Sequence, residues 1–205
     1  MELVKGRLKS LVERYPDFYP MYTMNGLWKH SGEAWTHWCD GFLPGMLWIV
    51  YAREAQSSPD RGWWRQQAIR YSKPLEPRRH DRDVHDLGFI FMSTYYRWFR
   101  MTQEPSLKAT VMEAGTTLAL RFQEQGQYLC SFIAPESLFI DIMMNVGIIF
   151  YTALERNDRS LMDIAMRHAL TTRRSTDPDG LGEPLEDGQR TQTGEQARTR
   201  IVGAR

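Results

Sequence analysis

The strongest constraint on the fold is the segment 138–150, LFIDIMMNVGIIF, in which Asp141 is the only charged residue. A helix that is apolar on every face is normally buried. Burial removes water from a carboxylate and favours its protonated form, which a general acid needs near neutral pH. Asn145 lies four residues further on and shares a helix face with Asp141, so the segment predicts a lined cavity. The alternative is that Asp141 is an ordinary N-cap.

Helical periodicity recurs along the chain in pairs of segments, each with an apolar helix followed by an amphipathic one. The predicted pairs are about 42–55 with 60–73, 86–101 with 106–124, and 138–155 with 159–172. Part of another pair is predicted near the N-terminus, at about 3–15. A repeat of helical hairpins predicts an inner and an outer layer of helices.

An aspartate lies near the start of each predicted inner helix: Asp40, Asp86 and Asp141. If the hairpins stack in register, the N-termini of the inner helices open at the same end of the domain. That end would suit an anionic ligand, because helix N-termini carry partial positive charge and free N–H donors. Three ordinary N-caps would give the same pattern.

Composition narrows the classes of partner. The chain has 205 residues and a net charge of +1, so we expect neither a nucleic acid nor a membrane as partner. Cys39 and Cys130 are weak evidence for a disulfide. The first residues lack the apolar core of a secretory signal, and the longest apolar run is too short to span a membrane. We therefore expect a cytoplasmic protein.

The last part of the chain has a different composition. From Arg174 onward there is no Trp, Tyr, Phe or Met, and Gly, Thr, Gln, Arg and acidic residues dominate. Such a stretch buries too little apolar area to offset the entropy cost of ordering it. The sequence therefore predicts a helical domain over 1–173 and a disordered tail over 174–205, which we interpret as the truncated or out-of-frame end of a longer ancestral gene.

Three motifs occur in series, and each opens an apolar helix. They are Trp38-Cys39-Asp40-Gly41-Phe42-Leu43-Pro44-Gly45-Met46-Leu47-Trp48, His85-Asp86-Leu87-Gly88-Phe89 and Ile140-Asp141-Ile142-Met143-Met144-Asn145. In this order and spacing, over about 20–173, the chain resembles the unsaturated glucuronyl hydrolases, glycoside hydrolase family 88. The resemblance implies an all-α fold, a partial (α/α)6 barrel of helical hairpins.

The resemblance also implies an activity: removal of a terminal 4,5-unsaturated uronic acid from an oligosaccharide by hydration of its C4=C5 double bond. By position in the motifs, Asp141 matches the catalytic acid/base and Asp86 the second essential carboxylate. Trp38 and His85 match residues that line the sugar pocket. The implied chemistry needs no metal and no cofactor. The other histidines, His30, His37, His80 and His168, show no partner pattern in the sequence.

The chain departs from the family in length. Only three hairpins are complete, and the family's later pocket residues cannot be matched. Half of a toroid would leave apolar flanks uncovered, so we expect self-association through exposed barrel edges. Two alternatives to an active hydrolase stay open at this point: an inactive fragment with residual sugar binding, and an α-helical interaction module.

Overall fold

The computed structural model describes residues 1–33 and 37–176, which are mainly helical. The helices are α1 (Glu2–Arg14), α2 (Phe42–Arg53), α3 (Arg61–Ser72), α4 (Leu87–Phe91), α5 (Tyr95–Thr102), α6 (Pro105–Ala119), α7 (Ile142–Asn145), α8 (Gly147–Arg156) and α9 (Arg159–Thr176). Two antiparallel hairpins pair the short strands β1 (Tyr22–Met24) with β2 (Leu27–Lys29), and β3 (Phe122–Gln123) with β4 (Tyr128–Leu129). None of the described helices combines the length and the apolar character that a membrane span requires.

The chain divides into two compact units. Among the described residues, the first unit comprises Met1–Asp81 and Phe89–Glu113, and the second comprises Arg82–Gly88 and the chain from Ala114 to the end of α9. The tail predicted from residue 174 lies mostly outside the described residues. Helix α9 continues to Thr176, three residues past the domain boundary predicted at 173.

The core of the first unit is built on the predicted hairpin of α2 and α3. Trp48 of α2 is fully buried, and its indole Nε1 donates to the Ser72 hydroxyl at 3.0 Å. Its ring stacks on Trp98 of α5, with ring centroids 5.4 Å apart. A buried indole that has a hydrogen-bond acceptor adds its large apolar area to the core without leaving a polar group unsatisfied. This hairpin confirms the first predicted pair.

The helix predicted over 86–101 is broken in the structure. Helix α4 ends at Phe91 and α5 begins at Tyr95. Between them, the Thr94 hydroxyl donates to the Ile90 carbonyl at 2.7 Å, and Thr94 leaves the helical region at φ −112° and ψ −85°. A threonine that bonds back to the carbonyl four residues earlier bends a helix. The single long helix expected here was therefore wrong.

Two other predicted helices are shorter than expected. The segment 106–124 is helical only to Ala119, and Phe122 lies in β3. The segment 138–155 becomes α7 and α8, and residues 138–141 precede the helices. Ile142 and Ile149 are fully buried, whereas Ile140 is 50% and Met144 72% exposed. The expectation of a helix buried on every face was thus wrong, because Ile140, the side chain of Asp141 and Met144 all reach solvent.

Both cysteines are buried and free, so the described structure contains no disulfide between them. Several large apolar side chains of the second unit are exposed, among them Leu154 at 71% and Leu120 at 59%. The self-association predicted from the sequence stays a prediction.

His168 of α9 has a partner that the sequence did not reveal. Its ring is fully buried, and Nδ1 accepts the backbone N–H of Leu129 in β4 at 3.1 Å. Burial lowers the pKa of His168 to about 4. The hydrogen bond from the Leu129 N–H to the neutral imidazole therefore links β4 to α9.

We expect this histidine to make the protein sensitive to mild acid. Above about pH 6.5, His168 is neutral in both states. Between about pH 6.5 and its folded pKa of about 4, the unfolded chain binds a proton that the folded protein excludes. As the pH is lowered through this range, the free energy of unfolding should decrease by up to about 1.4 kcal/mol for each pH unit. Chemical denaturation at a series of pH values measures this slope.

The slope should be smaller in His168→Gln and unchanged in His80→Gln, whose side chain is 64% exposed. An equal slope in the wild type and in His168→Gln would contradict the assignment.

Candidate active site

Three residues that the motifs singled out lie together in the second unit. His85 and Asp86 immediately precede α4 and are buried, with exposed fractions of 1% and 5%. Asp141 immediately precedes α7, and its side chain is 39% exposed. The residues before α4 therefore contact the residue before α7, and solvent reaches this group through Asp141.

A glycine allows this meeting. A Cβ placed on Gly88, in the first turn of α4, would lie 2.5 Å from both the Cα and the carbonyl oxygen of Asn145 in α7. Real Cβ atoms do not approach backbone atoms that closely, so only glycine fits between the two backbones. The glycine of the second motif is thus what lets residues 85–86 approach Asp141.

The imidazole of His85 connects the two carboxylates. Its Nε2 lies 3.3 Å from Oδ2 of Asp141 and 3.6 Å from Oδ1 of Asp86. Its Nδ1 accepts the backbone N–H of Phe132 at 3.2 Å. A backbone N–H can only donate, so Nδ1 has no proton and the ring proton of a neutral His85 is on Nε2. The backbone N–H of Phe132 thus sets the tautomer of His85, and the Nε2–H of His85 points toward the carboxylates of Asp141 and Asp86.

The structure decides between the two interpretations of Asp141. The residue stands at the N-cap position of α7, yet its side chain makes no capping hydrogen bond. Its carboxylate accepts from His85 instead, while its backbone carbonyl accepts from Asn145 Nδ2 at 3.2 Å. Capping therefore does not explain the carboxylate, and the cavity expected beside Asp141 and Asn145 stays a prediction. The expected dehydration of Asp141 was wrong, and the buried carboxylate is Asp86.

Aromatic rings that the sequence analysis missed enclose His85. Phe132 stacks on the imidazole with centroids 5.2 Å apart and planes at 21°. Phe139 meets the same imidazole edge-on at 5.7 Å. Both phenylalanines lie in the segment between β4 and α7, and the apolar pattern of the sequence did not mark either of them as part of a site. Phe132 remains 39% exposed, so its ring is accessible from solvent.

Arg121 fixes the segments that carry these groups. Its Nε donates to the Cys130 carbonyl at 2.9 Å, and its two terminal nitrogens donate to the carbonyls of Ser131 and Arg82. One guanidinium thus links the chain just before His85 to the chain just before Phe132. The planar, rigid arrangement of its donors suits a contact with several carbonyls, which a lysine could not reproduce.

Trp38 belongs to the first unit. It is 42% exposed, and its ring contacts Phe42 and Phe89 with centroids 5.7 Å away in each case. The exposed indole presents a flat apolar surface. Its predicted part in sugar binding stays a prediction.

Two groups of described side chains are close enough to hold an ion, although the sequence analysis expected none. In each group, one ligand atom per residue lies within 4.8 Å of the others: His30, His37 and Asp40, and separately His85, Asp86 and Asp141. In the second group, a neutral His85 already uses Nδ1 as an acceptor and has its proton on Nε2. It would have to lose that proton to bind a metal through Nε2, so this group suits proton transfer better than coordination.

The contact at Gly88 leads to a direct test. We expect Gly88→Ala to lower the free energy of unfolding by about 1–3 kcal/mol, since the methyl group must push α4 and α7 apart. Gly147→Ala is the matched control, because a Cβ there meets nothing within 4 Å. Chemical denaturation of both variants measures the difference. Equal stability of Gly88→Ala and the wild type would contradict the close backbone contact.

The sequence comparisons agree with the motifs. No family model matches the chain. The chain is 23% identical over 176 residues to the unsaturated chondroitin disaccharide hydrolase of Streptococcus agalactiae, covering 82% of this chain and 43% of that protein. It is 24% identical over 177 residues to the unsaturated glucuronyl hydrolase of a Bacillus species, covering 82% and 44%. The chain therefore spans less than half the length of these curated relatives.

Solved structures show the same fold. The unsaturated glucuronyl hydrolase of S. agalactiae superposes with a TM-score of 0.70 at 21% identity, covering 83% of this chain and 44% of that one. The Bacillus enzyme gives 0.68 at 20% identity, covering 83% and 46%. The predicted fold class, an all-α partial (α/α)6 barrel, is confirmed. In sequence and in fold, this chain resembles a part, somewhat less than half, of the unsaturated glucuronyl hydrolases.

Proposed function

We propose that this chain carries the reacting carboxylates of a hydrolase that removes a terminal 4,5-unsaturated uronic acid from an oligosaccharide. The observation that carries the proposal is the group of His85, Asp86 and Asp141, in which one imidazole lies within 3.6 Å of two carboxylates. The interaction module considered from the sequence has no need of such a group, and the similarity to hydrolases favours the enzyme over the inactive fragment as well.

The exposures of the two carboxylates suit different parts in the reaction. Asp141 is 39% exposed at its side chain, so a substrate can reach its oxygens. Asp86 is buried, so it acts on Asp141 and His85 as a fixed neighbouring group.

The proposed reaction is a hydration. Asp141 in its acid form gives a proton to C4 of the C4=C5 double bond, and positive charge develops at C5. Asp141, now a carboxylate, takes a proton from a water whose oxygen bonds to C5. The product is a hemiketal at C5, which opens and releases the rest of the oligosaccharide. The carboxyl group returns to its starting form, so no cofactor is consumed.

His85 and Phe132 would position the substrate and the acid. The Nε2–H of His85 is directed at Asp141, and the Phe132 N–H prevents the ring from adopting the other tautomer. The exposed face of Phe132 is an aromatic surface of the kind that suits the apolar side of a sugar ring. A solved relative was crystallised with dGlcA-GalNAc6S, which supports an unsaturated uronyl disaccharide as the probe.

The test follows the loss of the ultraviolet absorbance of the C4=C5 bond in an unsaturated chondroitin disaccharide. We expect turnover by the wild-type chain and a loss of about 100-fold or more in Asp141→Asn, since that change removes the acid and the base together. Asp86→Asn should also lower the rate. The matched control is Asp163→Asn, an exposed aspartate of α9 that pairs with Arg167.

A saturated disaccharide of the same linkage should not react, because it has no double bond to hydrate. Equal rates for the wild type and Asp141→Asn would contradict the assignment of the acid. Absence of turnover by the wild-type chain would contradict the proposal that this chain acts as an enzyme by itself.

A further inference from the structure

The first unit contains a second cluster of titratable side chains, separate in composition from the proposed catalytic group. His30 Nε2 lies 2.9 Å from Oδ1 of Asp40, and His37 Nδ1 lies 3.9 Å from Oδ2 of the same carboxylate. The two imidazole centroids are 3.9 Å apart. Asp40 and His37 are buried, and the His30 side chain is 21% exposed. The proposed hydration uses none of these groups.

A second observation concerns His37. Its Nε2 is buried and has no hydrogen-bond partner among the described residues. A buried polar atom without a partner loses its hydration and gains nothing in return, at a cost of about 1–3 kcal/mol. The described protein groups therefore leave one ring nitrogen of His37 without a partner, and the other, Nδ1, lies 3.9 Å from the Asp40 carboxylate, beyond hydrogen-bond distance.

We propose that His30, His37 and Asp40 form a zinc-binding site. Two imidazoles and one carboxylate are a ligand set that Zn²⁺ accepts, with a fourth position left for water. Zinc–ligand bonds of about 2.0–2.1 Å in a tetrahedron place the ligand atoms roughly 3.3 Å apart. His30 Nε2 lies 2.9 Å from Oδ1 of Asp40 and His37 Nδ1 lies 3.9 Å from Oδ2, and one ligand atom of each residue lies within 4.8 Å of the others, so small side-chain shifts would complete the site.

The surroundings hold the ligands in place. The His30 ring contacts Phe18 and Tyr19, with centroids 6.1 and 6.2 Å away. The His37 carbonyl accepts from Arg78 Nη1 at 2.6 Å, which fixes the backbone at that ligand. Asp40 lies in the 3-10 turn Trp38–Gly41 that leads into α2. A bound zinc would therefore tie the residues around His30 to the start of α2 and stabilise the first unit.

The test uses the untagged chain after treatment with a chelator. Isothermal titration with Zn²⁺ measures stoichiometry and affinity, and titration with Co²⁺ gives the visible absorbance of a tetrahedral site with nitrogen and oxygen ligands. We expect one equivalent of metal and a melting temperature that rises with Zn²⁺ concentration. Removing a residue that only supports a metal ligand typically weakens metal binding by about 10–100-fold. Asp40→Asn and His37→Gln remove ligands themselves, so each should weaken zinc binding by more than that.

Two controls separate this site from the proposed catalytic group. His85→Gln and His80→Gln should bind zinc as the wild type does. Loss of binding in His85→Gln with full binding in His37→Gln would overturn the proposal, as would the absence of any zinc binding by the wild-type chain. The melting temperature of each variant without metal shows whether the variant folds, so a loss of zinc binding in a folded variant reports the loss of a ligand.

Discussion

The candidate site depends on one backbone contact. Gly88 lies so close to Asn145 that a single methyl group would collide with the backbone of α7. This contact joins two segments that are more than fifty residues apart in the sequence and places His85 and Asp86 next to Asp141. Without it, the carboxylates would be ordinary residues at the starts of two short helices.

The sequence predicted the parts of the fold that follow from periodicity. The hairpin of α2 and α3 was predicted within about two residues at each end, because its apolar pattern and its polar link are both local features. The breaks were not predictable in this way. Thr94 bonds back to Ile90, and nothing in the pattern of apolar residues distinguishes this threonine from one that continues a helix.

In the candidate site, too, the sequence predicted some features and only the structure shows others. The motifs identified His85, Asp86 and Asp141, and the structure brings them together. The pattern could not reveal which carboxylate is buried, because burial depends on the fold around it: Asp86 is 5% exposed, whereas Asp141 faces solvent. The backbone N–H of Phe132 that sets the tautomer of His85 has no signature in the sequence either. The pairing of His30 with Asp40 likewise depends on how the chain folds between them.

The central claim is that His85 and Asp141 act as one interacting group, and a double-mutant cycle tests it most directly. The free energies of unfolding of the wild type, His85→Asn, Asp141→Asn and the double variant give the coupling energy between the two side chains. Residues in direct contact couple by about 0.5–3 kcal/mol, and we expect the lower part of this range because Asp141 is partly exposed. Additive effects of the two substitutions would contradict the claim.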